Sequence, residues 1–364
     1  MSNANSAIKP VGPAGKSFLK RLLTNRLTFP LVILLIVVIQ NIITTPNFFE
    51  ISMNNGLLSG YIPTILDEAS TLVIITLGMQ LVIAASGGPD ISVGAIMAIA
   101  ASFCGLMLNG AEYRTDVFHN PLILAYVVGL LGGALCGAFN GFLVSGLKIQ
   151  PMIATLVLFT AGRSIAKQIT YGQTIYIMNP VYKYLGVQIP GVPIRTTILV
   201  SVLIVILVVL FIKLTSFGLY AQSVGMNRSS SRLVGLNARA VIFGAFILCG
   251  VLAGAAGLVE SSSLASVDSK DLGPGIEMDA ILAVALGGNL IAGGKFSIAG
   301  SVIGAYTIQA ITTTLYAMNV RADQLYVYKA LIIIVIIVAS SDVFKDKLKK
   351  LARKVFRKNV SVGG

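Results

Sequence analysis

Charge is what this sequence has least of. Asp, Glu, Lys and Arg make up 11% of its 364 residues, and only 14 residues are acidic. A soluble globular chain carries about 25%, so a water-soluble domain of this size is excluded. Histidine occurs once, at His119 beside Pro121. A membrane-embedded enzyme would need a cluster of His, Asp or Cys around one cavity, and a lone histidine in a short loop does not supply it. The three cysteines (Cys104, Cys136 and Cys249) lie far apart inside apolar stretches, without His or carboxylate neighbours. They read as packing residues, with neither a disulfide framework nor a metal site among them.

Hydrocarbon takes the place of charge. Hydrophobic residues make up 55% of the chain and the mean hydropathy is +0.87. Ten apolar segments follow one another at roughly 28–46, 61–85, 90–109, 122–147, 152–171, 196–213, 240–261, 276–291, 298–319 and 325–342. A bilayer crossing takes about 20 mostly apolar residues. The expected fold is therefore all-α: a polytopic membrane protein of about ten transmembrane helices over 28–342, between basic tails at 1–27 and 343–364.

The net charge of +13 is a matter of topology. With the amino terminus placed in the cytoplasm, 19 Lys and Arg fall on the cytoplasmic side against 5 in the outer loops. This positive-inside bias, with an even number of helices, puts both termini in the cytoplasm. The basic tails then anchor the chain and touch anionic lipid, and nucleic acid is disfavoured as a partner. Lys16, Lys20, Arg21 and Arg26 precede a first segment that is too long for a signal peptide and has no small-residue cleavage site. An uncleaved anchor is expected.

Glycine organises the interior. Gly129, Gly133, Gly137 and Gly141 recur at every fourth position, along one helical stripe. Between helices in lipid, close approach comes from small residues, so this stripe is expected to pack tightly on a neighbour. Gly250 and Gly254, Ala253 and Gly257, and Gly300 and Gly304 repeat the device. Two Gly-rich breaks also look alike, Ser86–Gly94 and Gly287–Lys295, and both fall on the inner face. Such interruptions at corresponding places in two halves point to a transport pathway built from a repeat. Asp90 is expected to cap the helix that starts beside it, with Pro89 and Gly87-Gly88 making the turn.

The stretch Leu77-Gly78-Met79-Gln80-Leu81-Val82-Ile83, followed by Gly87-Gly88-Pro89-Asp90-Ile91-Ser92-Val93-Gly94, resembles the signature of membrane permeases of ribose-type carbohydrate ABC importers. Asn140-Gly141, Pro151–Leu156, Arg163, Glu277–Ile281, Ala285–Gly288, Gly293-Gly294, Gly300 and Ile303–Ala305 match the same family in order. The resemblance covers about residues 58–340. It departs at Pro89, where an aliphatic residue is usual, at Phe296, where glycine is common, and at Ser229–Ser231, where small apolar residues are commoner.

The resemblance implies a transmembrane subunit working with a cytoplasmic ABC ATPase, an extracytoplasmic sugar-binding protein and a second permease subunit, identical or related, in a bacterial inner membrane. It also implies that the inner loop 214–239 docks on the ATPase. The residues suit that role. A polar start at Asn227, the apolar pair Leu233 and Val234, and a stop at Gly235 make a short capped helix. Arg228 and Arg232, four apart, share its face and would meet acidic groups on a partner. The coupling residues are read as Gly225, Met226, Asn227, Arg228, Arg232, Leu233 and Gly235, against the plain alternative of a solvated basic loop. Gly293-Gly294-Lys295 is no phosphate loop, because Asn289 stands at the first glycine position and Phe296 replaces the hydroxyl. ATP hydrolysis therefore belongs to another polypeptide, and no cofactor is expected here.

Asn140, Arg163 and Lys167 are the candidates for the translocation path. Arg163 and Lys167 either snorkel to the outer interface or offer donors to sugar hydroxyls. Asn140 either bonds across a helix interface or lines the path. Asp67 and Glu68 near the outer start of the second segment, and Glu277 and Asp279 at the outer start of the eighth, are expected to favour the positive ends of those helices and cap them. In the outer loop 172–195, Tyr171, Tyr176, Tyr182 and Tyr184 anchor at the membrane interface or form a docking surface for an external partner. Three rival readings stand: a nucleoside or branched-chain amino-acid ABC permease, a secondary transporter working without an ATPase, and a membrane enzyme.

Overall fold

The computed structural model describes residues 27–340 other than 46, 55 and 111; most of both basic tails therefore lies outside the described residues. Helices form where hydropathy places them. They are α1 (Thr28–Thr44), α2 (Tyr61–Ser86), α3 (Val93–Asn109), α4 (Leu122–Gly141, continued by a π turn to Gly146) and α5 (Pro151–Ile169). α6 (Thr196–Leu214), α7 (Phe217–Met226), α8 (Arg228–Leu233) and α9 (Ala238–Leu264) follow, then α10 (Ile276–Leu286), α11 (Ile298–Ala317) and α12 (Ala322–Ser340). Five helical stretches are long and apolar enough to cross a membrane: 61–86, 122–146, 196–214, 238–264 and 298–317. Pro30–Thr44 and Val93–Asn109 are shorter apolar helices. This is a mostly helical, multi-pass membrane protein.

α2 is the central pillar. Every residue from Leu72 to Ser86 is buried, as suits a helix that is apolar all round. α6 is its opposite: only Thr196, Thr197 and Ser201 are fully buried. Val200, Ile204, Val205 and Val208 pack against the core, while Leu199, Val202, Leu203, Ile206, Leu207 and Leu210 are exposed, as lipid-facing residues are. Between centre and rim run α4 and α9, joined as the glycine stripes predict. A Cβ on Gly133 would overlap the carbonyl oxygen of Gly250, and one on Gly250 would overlap that of Gly133; one on Gly137 would strike the Phe246 carbonyl. The two backbones touch directly, and only glycine permits it.

Three features depart from expectation. α10 ends at Leu286, so its 11 residues span about 16 Å at 1.5 Å per residue, roughly half a bilayer core. Asn289 replaces the missing helical bonds: its amide donates to Val284 O (3.2 Å) and Ser301 Oγ (2.8 Å) and accepts from Ser297 N (2.6 Å). The all-α expectation also omits two small sheets. β1 (Ser52–Asn54) pairs with β2 (Leu57–Ser59) in a hairpin, while β4 (Ile175–Ile177) lies between parallel β3 (Arg114–Thr115) and antiparallel β5 (Ser266–Val267). That sheet orders the 172–195 loop. There Tyr182 is buried with its hydroxyl 2.7 Å from Ser261 Oγ, while Tyr171, Tyr176 and Tyr184 stay exposed. Finally, Asp67 and Glu68 stand in the second turn of α2 and cap nothing, because its first turn holds no acidic residue.

Candidate functional site

Three chain segments converge at the Ser86 end of α2. The first is the break after α2. Gly87, at φ +76°, ends the helix in the left-handed region that glycine favours. Asp90 is fully buried three residues later and accepts from Ser92 N (2.9 Å) and Ser92 Oγ (2.6 Å). It thus closes a side-chain turn one step before α3, which starts only at Val93. Asn140 of α4 completes the chain, donating to Ser92 Oγ at 2.8 Å and approaching Asp90 Oδ2 at 3.4 Å. Asn140 is therefore a buried link across helices, the first of its two sequence readings. Gly94 sits where a Cβ would meet Glu277 Oε2 at 2.7 Å.

The second segment is the break after α10. Gly293 and Gly294 adopt φ +96° and +94° and lie against the first break, with Gly294 N donating to Ala84 O at 3.0 Å. The two breaks that look alike in sequence thus touch in space.

The third is the segment carrying α7 and α8. A Cβ on Gly225 would overlap the Ala84 carbonyl oxygen, and one on Gly294 would meet Met226 Cγ at 2.8 Å. Arg228 Nη2 donates to Ser86 O at 2.6 Å. α8 is the short capped helix that the sequence predicts. Asn227 Oδ1 accepts from Ser230 N at 2.9 Å, and Gly235 ends the turn at φ +83°. Beyond it Leu233 is 89% exposed and Val234 76% exposed. Both arginines are exposed, but only Arg228 also bonds the end of α2. Partial burial, then the neighbouring Arg232, lowers the pKa of Arg228.

Gly87, Gly225, Met226 and Arg228 are thus brought together, with Asp90, Ser92 and Asn140 one layer deeper. Arg163 and Lys167 lie elsewhere, on α5. Arg163 donates to the carbonyls of Ser269 (2.7 Å), Leu272 and Gly273 (both 3.0 Å), clamping the loop that leads into α10. Lys167 is exposed on the same helix beside Gly172. In that loop Asp268 has its carboxyl pKa lowered by the Thr174 hydroxyl (2.5 Å), then by the Lys270 backbone N–H (2.8 Å).

Sequence reasoning misses several partnerships. Lys329 reaches Asp279 at 2.7 Å, Arg195 Nε reaches Asp67 at 3.2 Å, and Gln309 donates to Glu68. Gln80, quoted in the motif above, accepts from Ser301, which in turn takes the Asn289 amide. Polar residues inside apolar segments are the one signal that could have pointed to these pairs. Among the described residues, no group of three or more His, Cys, Asp or Glu is placed to hold a metal.

The family model described as branched-chain amino acid transport system / permease component matches residues 61–340. The galactofuranose transporter permease protein of Escherichia coli (strain K12) is 34% identical over 88% of this chain and 91% of its own length. The fructose import permease protein of Bifidobacterium longum is 35% identical over 93% of this chain and 94% of its own length. The ribose import permease protein of Escherichia coli (strain K12) is 31% identical over 82% and 88%. No solved structure matches.

Proposed function

The chain belongs to the ribose-type sugar ABC permeases, within the branched-chain amino acid transport system / permease component family, and we propose that it carries a ribose-, galactose- or galactofuranose-like sugar inward across a bacterial inner membrane. In this reading it has about ten spans with both termini cytoplasmic. An extracytoplasmic binding protein delivers the sugar, a second permease subunit completes the path, and a separate cytoplasmic ATPase hydrolyses ATP.

The observation that carries the reading is the junction at Ser86. Gly225, Met226 and Arg228 rest on both Gly-rich breaks, while Leu233, Val234 and Arg232 face outward a few residues on. A push on exposed α8 passes to the breaks through the close backbone contact of Gly225 with Ala84 and through the Met226 and Arg228 side chains. The breaks are where α2 and α10 end, so their displacement alters the core of the bundle. A neutral cargo suits an interior in which the half-buried Arg163 is engaged with three carbonyls and the buried Lys329 with Asp279.

Arg232→Glu tests the coupling. In the reconstituted importer it is expected to leave membrane insertion intact and separate ATP hydrolysis from sugar uptake; unchanged uptake per ATP counts against docking at α8. Deleting the partner ATPase is expected to abolish uptake, and persistent uptake would instead favour a secondary transporter. The matched family's description favours a second cargo, a branched-chain amino acid, so uptake of leucine in preference to sugars would replace the sugar reading.

A further inference from the structure

The Tyr61 end of α2 lies about 39 Å from the coupling junction, given 26 residues at 1.5 Å rise. A cleft of about 320 Å³ opens there between the β1–β2 hairpin, the first turns of α2 and Arg195. Asp67 and Glu68 form one wall. Asp67 is held by Arg195 Nε at 3.2 Å and by the Thr197 hydroxyl, and Glu68 Oε2 is held by the Gln309 amide of α11. Among the described residues, the side-chain bonds of Arg195 run through Nε alone and those of Glu68 through Oε2 alone. The two terminal guanidinium nitrogens and one fixed carboxylate oxygen are thus left uncommitted at the cleft.

On the other side of Glu68 a second cleft of about 470 Å³ lies between Tyr61, Thr313 and Tyr316. Thr313 is 6% exposed, yet among the described residues its hydroxyl has no hydrogen-bond partner. The combined donor and acceptor set suits one chemistry. A guanidinium fork with an adjacent carboxylate matches vicinal hydroxyls, which donate and accept at once, and tyrosine rings offer flat apolar faces to a sugar ring. Two carboxylates against one arginine leave the site net negative, which disfavours a ligand bearing its own carboxylate.

Resting on the importer reading, we propose that Glu68 and Arg195 form an outer subsite for a neutral polyhydroxylated ring, with Asp67 and Gln309 positioning them. The chain has no tryptophan, so Leu58→Trp, in the wall of the first cleft, introduces a single indole reporter. The full chain in nanodiscs is titrated with D-ribose, D-fructose, D-galactose and L-leucine. A saturable fluorescence change is expected with at least one sugar and none with leucine. Its affinity is expected to weaken about tenfold in both Glu68→Gln and Arg195→Gln. Saturation-transfer NMR on the unsubstituted chain gives the same readout should the Trp variant misfold. No saturable sugar response by either method, or equal affinity in both variants, overturns the subsite. ATP-driven sugar uptake separates the two claims: uptake without cleft binding removes the subsite and leaves the importer, whereas cleft binding without uptake removes the importer and leaves the subsite.

Discussion

The Arg228 guanidinium donates a 2.6 Å hydrogen bond to the backbone carbonyl of Ser86, 142 residues earlier in the chain. Ser86 is the last residue of α2 and its own hydroxyl turns back to Val82 O and Gly88 O. The carbonyl has no helical successor to bond, because Gly87 has left the helix. A charged side chain thus occupies a helix C-terminus, where the macrodipole favours it, and ties α8 to the pillar of the bundle.

Arg228→Gln keeps length but removes the charge from this bond. Charge-assisted bonds contribute about 1.5–3 kcal/mol, so uptake per ATP hydrolysed in the reconstituted importer is expected to fall roughly tenfold. Arg228→Lys, which keeps the cation, is expected to restore most of it. Equal loss in both variants would point to a simple folding defect.

Gly225→Val places a branched side chain against the Ala84 carbonyl and Gly294 N. Backbone cannot yield as a flexible side chain can, and overpacking of this kind costs about 1–3 kcal/mol. Transport is expected to be lost while yield from the membrane stays near normal. Gly235→Val, with nothing within 4 Å of the added Cβ, meets no steric barrier and tests backbone strain alone; its expected effect is smaller.

The Lys329–Asp279 pair joins α12 to the half-length α10, with side-chain exposures of 7% and 21%. Removing one partner of a buried pair strands a charge and costs about 3–5 kcal/mol. Lys329→Met and Asp279→Asn are each expected to lower the melting temperature, and the double replacement to lower it by less than the sum. Strict additivity would mean that the two groups do not interact.

Asp268 gives a pH signature. Its folded pKa lies below its ordinary value of 3.8, so the bond to Thr174 stabilises the outer sheet above pH 3.8 and is lost as acid takes the carboxylate through its lower folded value. Hydrogen exchange across β4 is expected to accelerate below pH 3.8 in the natural chain. In Asp268→Asn the profile should be flatter across that window.

Hydropathy located α1–α6 and α9–α12 because an apolar run in lipid has few alternatives, and the cap at Asn227 with the stop at Gly235 was legible because both act within one turn; α7 was missed because it lies in the polar stretch 214–239. The facing of Gly133 on Gly250 was half legible: each stripe predicts contact, but neither names its partner. α10 was overestimated because Leu290 and Ile291 extend the apolar run past Gly287 and Gly288, where the backbone has already turned. Arg163 gave no hint of its partners, since they are main-chain carbonyls 106 to 110 residues away and a carbonyl has no signature in sequence. Asp67 and Glu68 misled because proximity to a helix start resembles capping, while their partners Arg195 and Gln309 lie on remote segments.

The seam between Gly133 on α4 and Gly250 on α9 has a mechanical meaning. With no side chains interposed there is nothing to rearrange, so the pair travels as one strut.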